Sequence, residues 1–133
     1  MNPCTDERGS VTAFVAIVAF ALVMVAGMAY DGGQVIHAHN AARNDAERAA
    51  RVAAQQIDLT HLRLTNEPRL DPSEAESAAL AYLGQVGASG TVTVNGADVT
   101  VTVNRTQPLR ILPGADRTIT VSETAAAVEE AEP

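Results

Sequence analysis

The stretch VTAFVAIVAFALVMVAGMAY, residues Val11 to Tyr30, decides the fold because it runs for 20 residues without a charge. A helix of this length, rising about 1.5 Å per residue, measures roughly 30 Å, which is the hydrocarbon thickness of a bilayer. Nine of its residues are Val, Ile, Leu or Phe. Each of these favours insertion by about 0.3–0.6 kcal/mol. We therefore predict a transmembrane helix over residues 11–30, with the lipid bilayer as a partner.

The charges that flank this stretch predict its orientation. Arg8 lies just before it, and the first positively charged residue after it is Arg43. By the positive-inside rule, residues 1–10 form a cytoplasmic stub and the C-terminal domain is extracytoplasmic, as in a single-pass protein of the cell membrane. The alternative is a signal peptide. Small residues at Gly27 and Ala29 would allow signal peptidase to release a secreted small binding module near Ala29.

Composition limits the function of the remaining chain. The 133 residues carry a formal net charge of −7, and all nine basic residues are arginine. An acidic chain without a basic cluster argues against nucleic-acid binding. After Tyr30 the only aromatic residue is Tyr82. Such a thin core predicts low stability for the isolated domain, which would then depend on a partner or on the membrane.

Residues 31–59 are predicted to form an extracytoplasmic, Ala-rich helix. We expect the transmembrane helix to continue through Gly32 and Gly33 with a soft point there, although the glycines could instead loosen the helix and Asp31 could cap a new one. An apolar stripe with helical spacing supports the assignment and comprises Val35, Ala42, Ala46, Ala49, Ala53 and Ile57.

The same helix carries a ladder of small residues spaced four apart: Ala42, Ala46, Ala50 and Ala54. Small side chains allow a second helix to approach closely. With Asp31 at the outer end of the span, this ladder is a candidate assembly face for another protein or for self-association. Two alternatives remain open: the ladder is domain core covered by a helix that follows Pro72, and Asp31 only marks the membrane edge.

Residues 60–126 are predicted to form a small helix plus a β-hairpin domain. Residues 60–70 lack periodicity and are interpreted as a linker. Asp71 is expected to cap a helix whose first residue is Pro72 and which ends near Gly84 to Gly87. The expected buried face of this helix comprises Ala75, Ala78, Ala79, Tyr82, Leu83 and Val86.

The last third of the chain alternates between apolar and polar residues, which is typical of strands. Asn95-Gly96 predicts a two-residue type I′ turn that sets Val94 opposite Ala97. The hairpin continues to Val103, residues 107–116 form a loop, and residues 118–121 form a third strand with Ile119 and Val121 facing inward. Residues 127–133 form an acidic tail that is expected to fray. The predicted fold class is α+β: a transmembrane helix continuing into a long Ala-rich helix, then a short helix and about three antiparallel strands.

The sequence predicts no catalytic residues, no cofactor site and no metal site, and hence no enzyme. His37 and His39 lie two positions apart, which places them on different helix faces and makes them a poor metal pair. Together with His61 they are interpreted as surface residues.

Three short motifs occur in this part of the chain: Arg8-Gly9 before the span, Asp31-Gly32 after it, and Asn40-Ala41-Ala42 in the Ala-rich helix. Together they resemble the N-terminal module of TadE/TadG-like proteins of the Flp (Tad) pilus-assembly systems. The resemblance covers roughly Arg8 to Ala54. It implies a cytoplasmic stub, one membrane-spanning helix that continues outward, and an exported domain.

The resemblance also implies a function and a set of partners. The expected role is a pilin-like structural component of pilus assembly or envelope secretion, in contact with other Tad/Flp pilus-assembly or envelope membrane proteins. The chain departs from the family pattern where Phe14 stands at the fifth position after Gly9, since prepilin-type cleavage requires Glu there. Its short C-terminal helix and hairpin are similar to small actinobacterial relatives rather than to TadG proteins with a large external domain.

Overall fold

A computed structural model describes residues 8–111 and 114–127 of the chain. The element order is α1 (Arg8–Ala54), α2 (Leu59–Thr65), α3 (Pro72–Gln85), β1 (Ser89–Asn95), β2 (Asp98–Gln107) and β3 (Arg117–Ala126). The predicted α+β class, with a three-stranded antiparallel sheet, is confirmed. Residues 1–7 of the predicted stub, residues 128–133 of the predicted tail and residues 112–113 of the predicted loop lie outside the described residues.

Helix α1 is a single helix of 47 residues that runs through Asp31, Gly32 and Gly33 without a break. The expected continuity is therefore confirmed, and the alternative of a new helix starting at Asp31 is wrong. Each glycine costs about 1 kcal/mol relative to alanine, but the long helices on both sides propagate through them cooperatively.

Helix α1 ends at Ala54, five residues before the predicted end at Leu59. The difference arises because the residues after the helix form β-type hydrogen bonds with the segment before α3. Ile57 forms an isolated antiparallel bridge with Leu70. The N–H of Asp58 donates to the carbonyl of Arg69 at 2.8 Å, next to that bridge. These contacts require an extended backbone, so the helix must stop before them.

The linker predicted over residues 60–70 is wrong in its first half, which forms helix α2. The Asp58 carboxylate caps this helix by accepting from the N–H groups of Thr60 at 3.0 Å and His61 at 2.9 Å. Asn66 ends it in the left-handed region, with a φ of 59°. The helix has only seven residues and none of them is buried, so it leaves no apolar period in the sequence.

Helix α3 begins as predicted. Asp71 Oδ1 accepts from the N–H groups of Ser73 at 3.0 Å and Glu74 at 3.1 Å, and Pro72 occupies the first turn. Its fully buried residues are Ala75, Ala79 and Leu83, which belong to the predicted face, whereas Val86 is exposed.

The strand order is β1-β2-β3, with both neighbouring pairs antiparallel. The predicted turn at Asn95-Gly96 is displaced by one residue: Asn95 belongs to β1 and pairs with Asp98, which leaves Gly96 and Ala97 as the two central residues. Val94 therefore lies opposite Val99 rather than Ala97. The register differs from the predicted one by two residues, so every side chain stays on its predicted face.

Backbone geometry and hydrogen bonds explain the turn. Gly96 has a φ of +65°, while Ala97 is not among the described residues with positive φ. A positive φ at the first central residue alone is typical of a type II′ turn, which prefers glycine there. Both turn carbonyls are used, since Gly96 O accepts from Leu70 N–H at 3.0 Å and Ala97 O accepts from Ala127 N–H at 2.8 Å.

The core lies between one face of the sheet and helices α1 and α3. Strand residues Val99, Val101 and Val103 are fully buried, and Ile119 and Val121 of β3 face inward as predicted. The opposite face is polar, with Thr100 and Thr124 hydroxyl oxygens 2.8 Å apart. The sheet thus has one face for the helices and one for solvent.

Candidate membrane-proximal site

The N-terminal half of α1 extends away from the packed domain with its apolar side chains uncovered. Phe14, Phe20 and Leu22 are each about two-thirds exposed, at 67%, 68% and 65%. The most apolar 18-residue window has a mean hydropathy of 2.6, and only 6% of it is buried. By length and composition this is the one helix within residues 8–111 and 114–127 that could cross a membrane.

Asp31 lies where this exposed segment meets the domain, and it is the one buried charged residue in the described part of the chain, at 2% exposure. Its carboxylate accepts hydrogen bonds from the backbone N–H groups of Arg110 at 3.2 Å and Ile111 at 3.1 Å. These donors belong to the loop after β2. Asp31 therefore fastens the β2–β3 loop to the middle of α1, which is a contact inside the chain rather than a free assembly surface.

Gly27 lies one helical turn before Asp31 and receives the side chain of Ile111. A Cβ atom added at Gly27 would be 2.6 Å from Ile111 Cγ2, a distance that real Cβ contacts do not show. A larger residue at position 27 would therefore force the side chain of Ile111 to shift. Ile111 itself stays 49% exposed, so the helix covers about half of it.

Two ion pairs join the sheet to α1 farther along the helix. Arg105 Nη2 of β2 lies 2.6 Å from Asp45 Oδ2, and their side chains are 34% and 16% exposed. Arg43 Nε lies 3.0 Å from Glu123 Oε1 of β3, in a more exposed position. Both pairs link residues that are distant in sequence, so the sequence alone gave no signal for them.

The alanine ladder lies in the core. Ala42, Ala46 and Ala50 are at most 1% exposed, and Ala54 is 9% exposed. They pack with α3 and with the inward valines of the sheet. The prediction of an assembly face made of these alanines is therefore wrong, and the alternative, domain core covered by the helix after Pro72, describes their position. The small side chains thus allow α1 to approach other elements of the same chain closely.

The three histidines lie on two different helices, α1 and α2. His37 and His39 are exposed on α1, and His61 is partly exposed on α2. Within the described residues no three His, Cys, Asp or Glu side chains are grouped closely enough to hold a metal ion.

Residues 9–56 match a protein family described as putative Flp pilus-assembly TadE/G-like. The matched segment covers α1 from Gly9 to its end and so contains both the exposed apolar segment and the buried alanine ladder. The predicted resemblance of this segment to the TadE/TadG-like family is confirmed. Comparison with curated proteins and with solved structures gave no significant match.

Proposed function

We propose that this chain, whose N-terminal module is TadE/G-like, is a pilin-like structural component of a pilus-assembly or envelope-secretion apparatus. The observation that carries the proposal is the exposed apolar segment of α1, since it lies within the matched residues 9–56 and is only 6% buried in its most apolar window. A soluble protein rarely leaves such a large apolar surface in water.

In this proposal residues 11–30 cross the membrane once. Residues 1–10 form the cytoplasmic stub, residues 31–59 lead outward, residues 60–126 form the extracytoplasmic domain, and residues 127–133 form a tail. The continuity of α1 supports a mechanical role, because one continuous helix couples the position of the span to that of the domain. The partners are the bilayer and other membrane proteins of the apparatus, and the role involves no chemical reaction.

Deletion of the gene tests the proposal in the producing cell. We expect surface filaments or apparatus-dependent secretion to be lost and to return with the wild-type chain. Phe20→Arg should fail to restore them, because a charge at the span centre costs about 2.5–3.5 kcal/mol, whereas the matched control Phe20→Leu should succeed.

Two outcomes would overturn the proposal. One is normal filament formation and secretion in the deletion strain. The other is recovery of the mature chain from the medium with an N-terminus at Tyr30, which would instead identify a secreted module released after Ala29.

A further inference from the structure

The loop after β2 reaches the depth of the apolar span. Ile111 Cγ2 lies against Gly27, at 2.6 Å from the position of an added Cβ. Gly27 precedes the end of the uncharged stretch at Tyr30 by three residues, or about 4.5 Å along the helix. The polar interface on each side of the hydrocarbon is roughly 5–7 Å thick. A loop in contact with Gly27 therefore lies at the boundary between headgroups and acyl chains.

The side chains of this loop suit that boundary. Ile111 is half exposed, and Leu109 is partly exposed beside it. Arg110 in the loop and Arg117, the first residue of β3, are exposed, and neither enters an ion pair among the described residues. Arginine at a membrane interface places its stem along apolar surface and its guanidinium at lipid phosphates. Two such residues at this end contrast with the net charge of −7 of the whole chain.

Asp31 supplies hydrogen-bond acceptors for loop N–H groups that would otherwise lack them at such a location. Near the hydrocarbon, water is scarce and a loop amide without an acceptor is strongly unfavourable. The Asp31 carboxylate accepts from the amides of both Arg110 and Ile111. The loop can thus lie at the bilayer boundary with these donors satisfied inside the protein.

We propose that residues 109–111 of this loop, together with Arg117 at the start of β3, form a second membrane-contact site, in which Ile111 and Leu109 contact acyl chains and Arg110 and Arg117 bind lipid phosphates. The leaflet is the one at the C-terminal end of the span. The contact would fix the domain against the bilayer surface, so that α1 has a defined tilt. The inference rests on the proposed membrane span of residues 11–30 but not on its orientation.

The chain contains no tryptophan, so single tryptophan variants report depth without background. Three full-length variants in lipid vesicles are compared: Ile111→Trp in the loop, Phe20→Trp in the span, and Leu64→Trp on α2. Leu64 is 80% exposed and serves as the aqueous control. Fluorescence quenching is measured with lipids brominated either near the headgroup or near the chain end.

We expect position 111 to be quenched mainly by the shallow bromines, position 20 mainly by the deep bromines, and position 64 by neither. Quenching at position 111 no stronger than at position 64 would overturn the inference, while strong quenching at position 20 would leave the span intact. Absence of quenching at position 20 would overturn the span itself. If the larger side chain at position 111 prevents folding, the same quenching measurement is made on Arg110→Trp.

The arginines are tested in the Ile111→Trp background with brominated phosphatidylglycerol against brominated phosphatidylcholine. Each arginine near a charged surface should enrich anionic lipid roughly fivefold, so Arg110→Gln with Arg117→Gln should remove most of the preference. The matched control is Arg63→Gln with Arg69→Gln, two exposed arginines at α2 and just after it. Equal preference in the two double variants would contradict a role for Arg110 and Arg117 in lipid binding.

Discussion

The carboxylate of Asp31 accepts a hydrogen bond of 3.1 Å from the backbone N–H of Ile111, a residue 80 positions later in the chain. This contact joins the helix that leaves the bilayer to the far loop of the sheet. It gives a physical role to the acidic residue that ends the uncharged stretch.

Replacement of Asp31 by Ala should free the β2–β3 loop. The amides of Arg110 and Ile111 would lose their acceptor, which typically costs about 1–3 kcal/mol for a buried group. We expect faster hydrogen exchange at these two amides and a lower melting temperature of the full chain in detergent. Asp116→Ala, an exposed change in the same loop, is the control. Unaltered exchange at both amides would contradict the assignment.

Enlargement of the alanine ladder should destabilise the domain. Ala46 is 0% exposed, so Ala46→Leu forces extra methylene groups into a filled space and should cost about 1–3 kcal/mol. Ala81→Leu on the exposed side of α3 introduces the same side chain without that conflict and should have little effect. Chemical denaturation of both variants measures the difference. A fully stable Ala46→Leu variant would show that the ladder has free space beside it.

Local chemistry made much of the fold predictable. The uncharged run predicted the apolar part of α1, Asp71-Pro72 predicted the start of α3, and the alternation around Val101 predicted the core face of β2. These signals depend on residues close together in sequence. Although the turn was predicted one residue too early, the side chains of both strands were assigned to the correct faces of the sheet, because a register shift of two residues preserves the alternation of a strand.

The site was less predictable because its contacts join distant residues. No residue near Asp31 in the sequence indicates that its carboxylate accepts hydrogen bonds from the amides of Arg110 and Ile111. Gly27 was interpreted as part of a cleavage signal, whereas in the fold the side chain of Ile111 packs against it. The alanine ladder was ambiguous for a related reason, since close helix approach has the same sequence pattern whether the second helix belongs to the same chain or to a partner.

The hairpin turn depends on the backbone freedom of Gly96. At a φ of +65°, and with nothing within 4 Å of an added Cβ, alanine would meet no neighbour but would be strained. Gly96→Ala should therefore lower the free energy of unfolding by about 1–2 kcal/mol. Gly84→Ala within α3, also in open space, should instead raise it by up to about 1 kcal/mol. A Gly96→Ala variant as stable as the wild-type chain, or more stable, would reject the turn geometry.

Reporter fusions test the orientation. With Arg8 as the basic residue next to the span, the positive-inside rule predicts an extracytoplasmic C-terminus. A reporter that works only after export should be active at the C-terminus, and a cytoplasmic reporter should be inactive there. Arg8→Gln should weaken this bias. A cytoplasmic reporter that is active on the wild-type chain would reverse the proposed topology.

The Arg105–Asp45 pair should contribute more to stability than an exposed pair on the same helix. Its side chains are 34% and 16% exposed, whereas those of Arg51 and Glu47 are 69% and 46% exposed. A double-mutant cycle with Arg105→Gln and Asp45→Asn should give a coupling energy of about 1 kcal/mol, against roughly 0.3–0.5 kcal/mol for the helix pair.

The salt dependence of these two cycles separates screening from burial. Added salt should reduce the coupling of Arg51 with Glu47, because exposed charges are screened within about 10 Å at 0.1 M ionic strength. The coupling of Arg105 with Asp45 should fall less, since water reaches Asp45 poorly. Burial also carries a cost, because Arg105 Nε is buried without a hydrogen-bond partner among the described residues. A coupling near zero at all salt concentrations would mean that this cost cancels the attraction, and that apolar packing alone holds the sheet on α1.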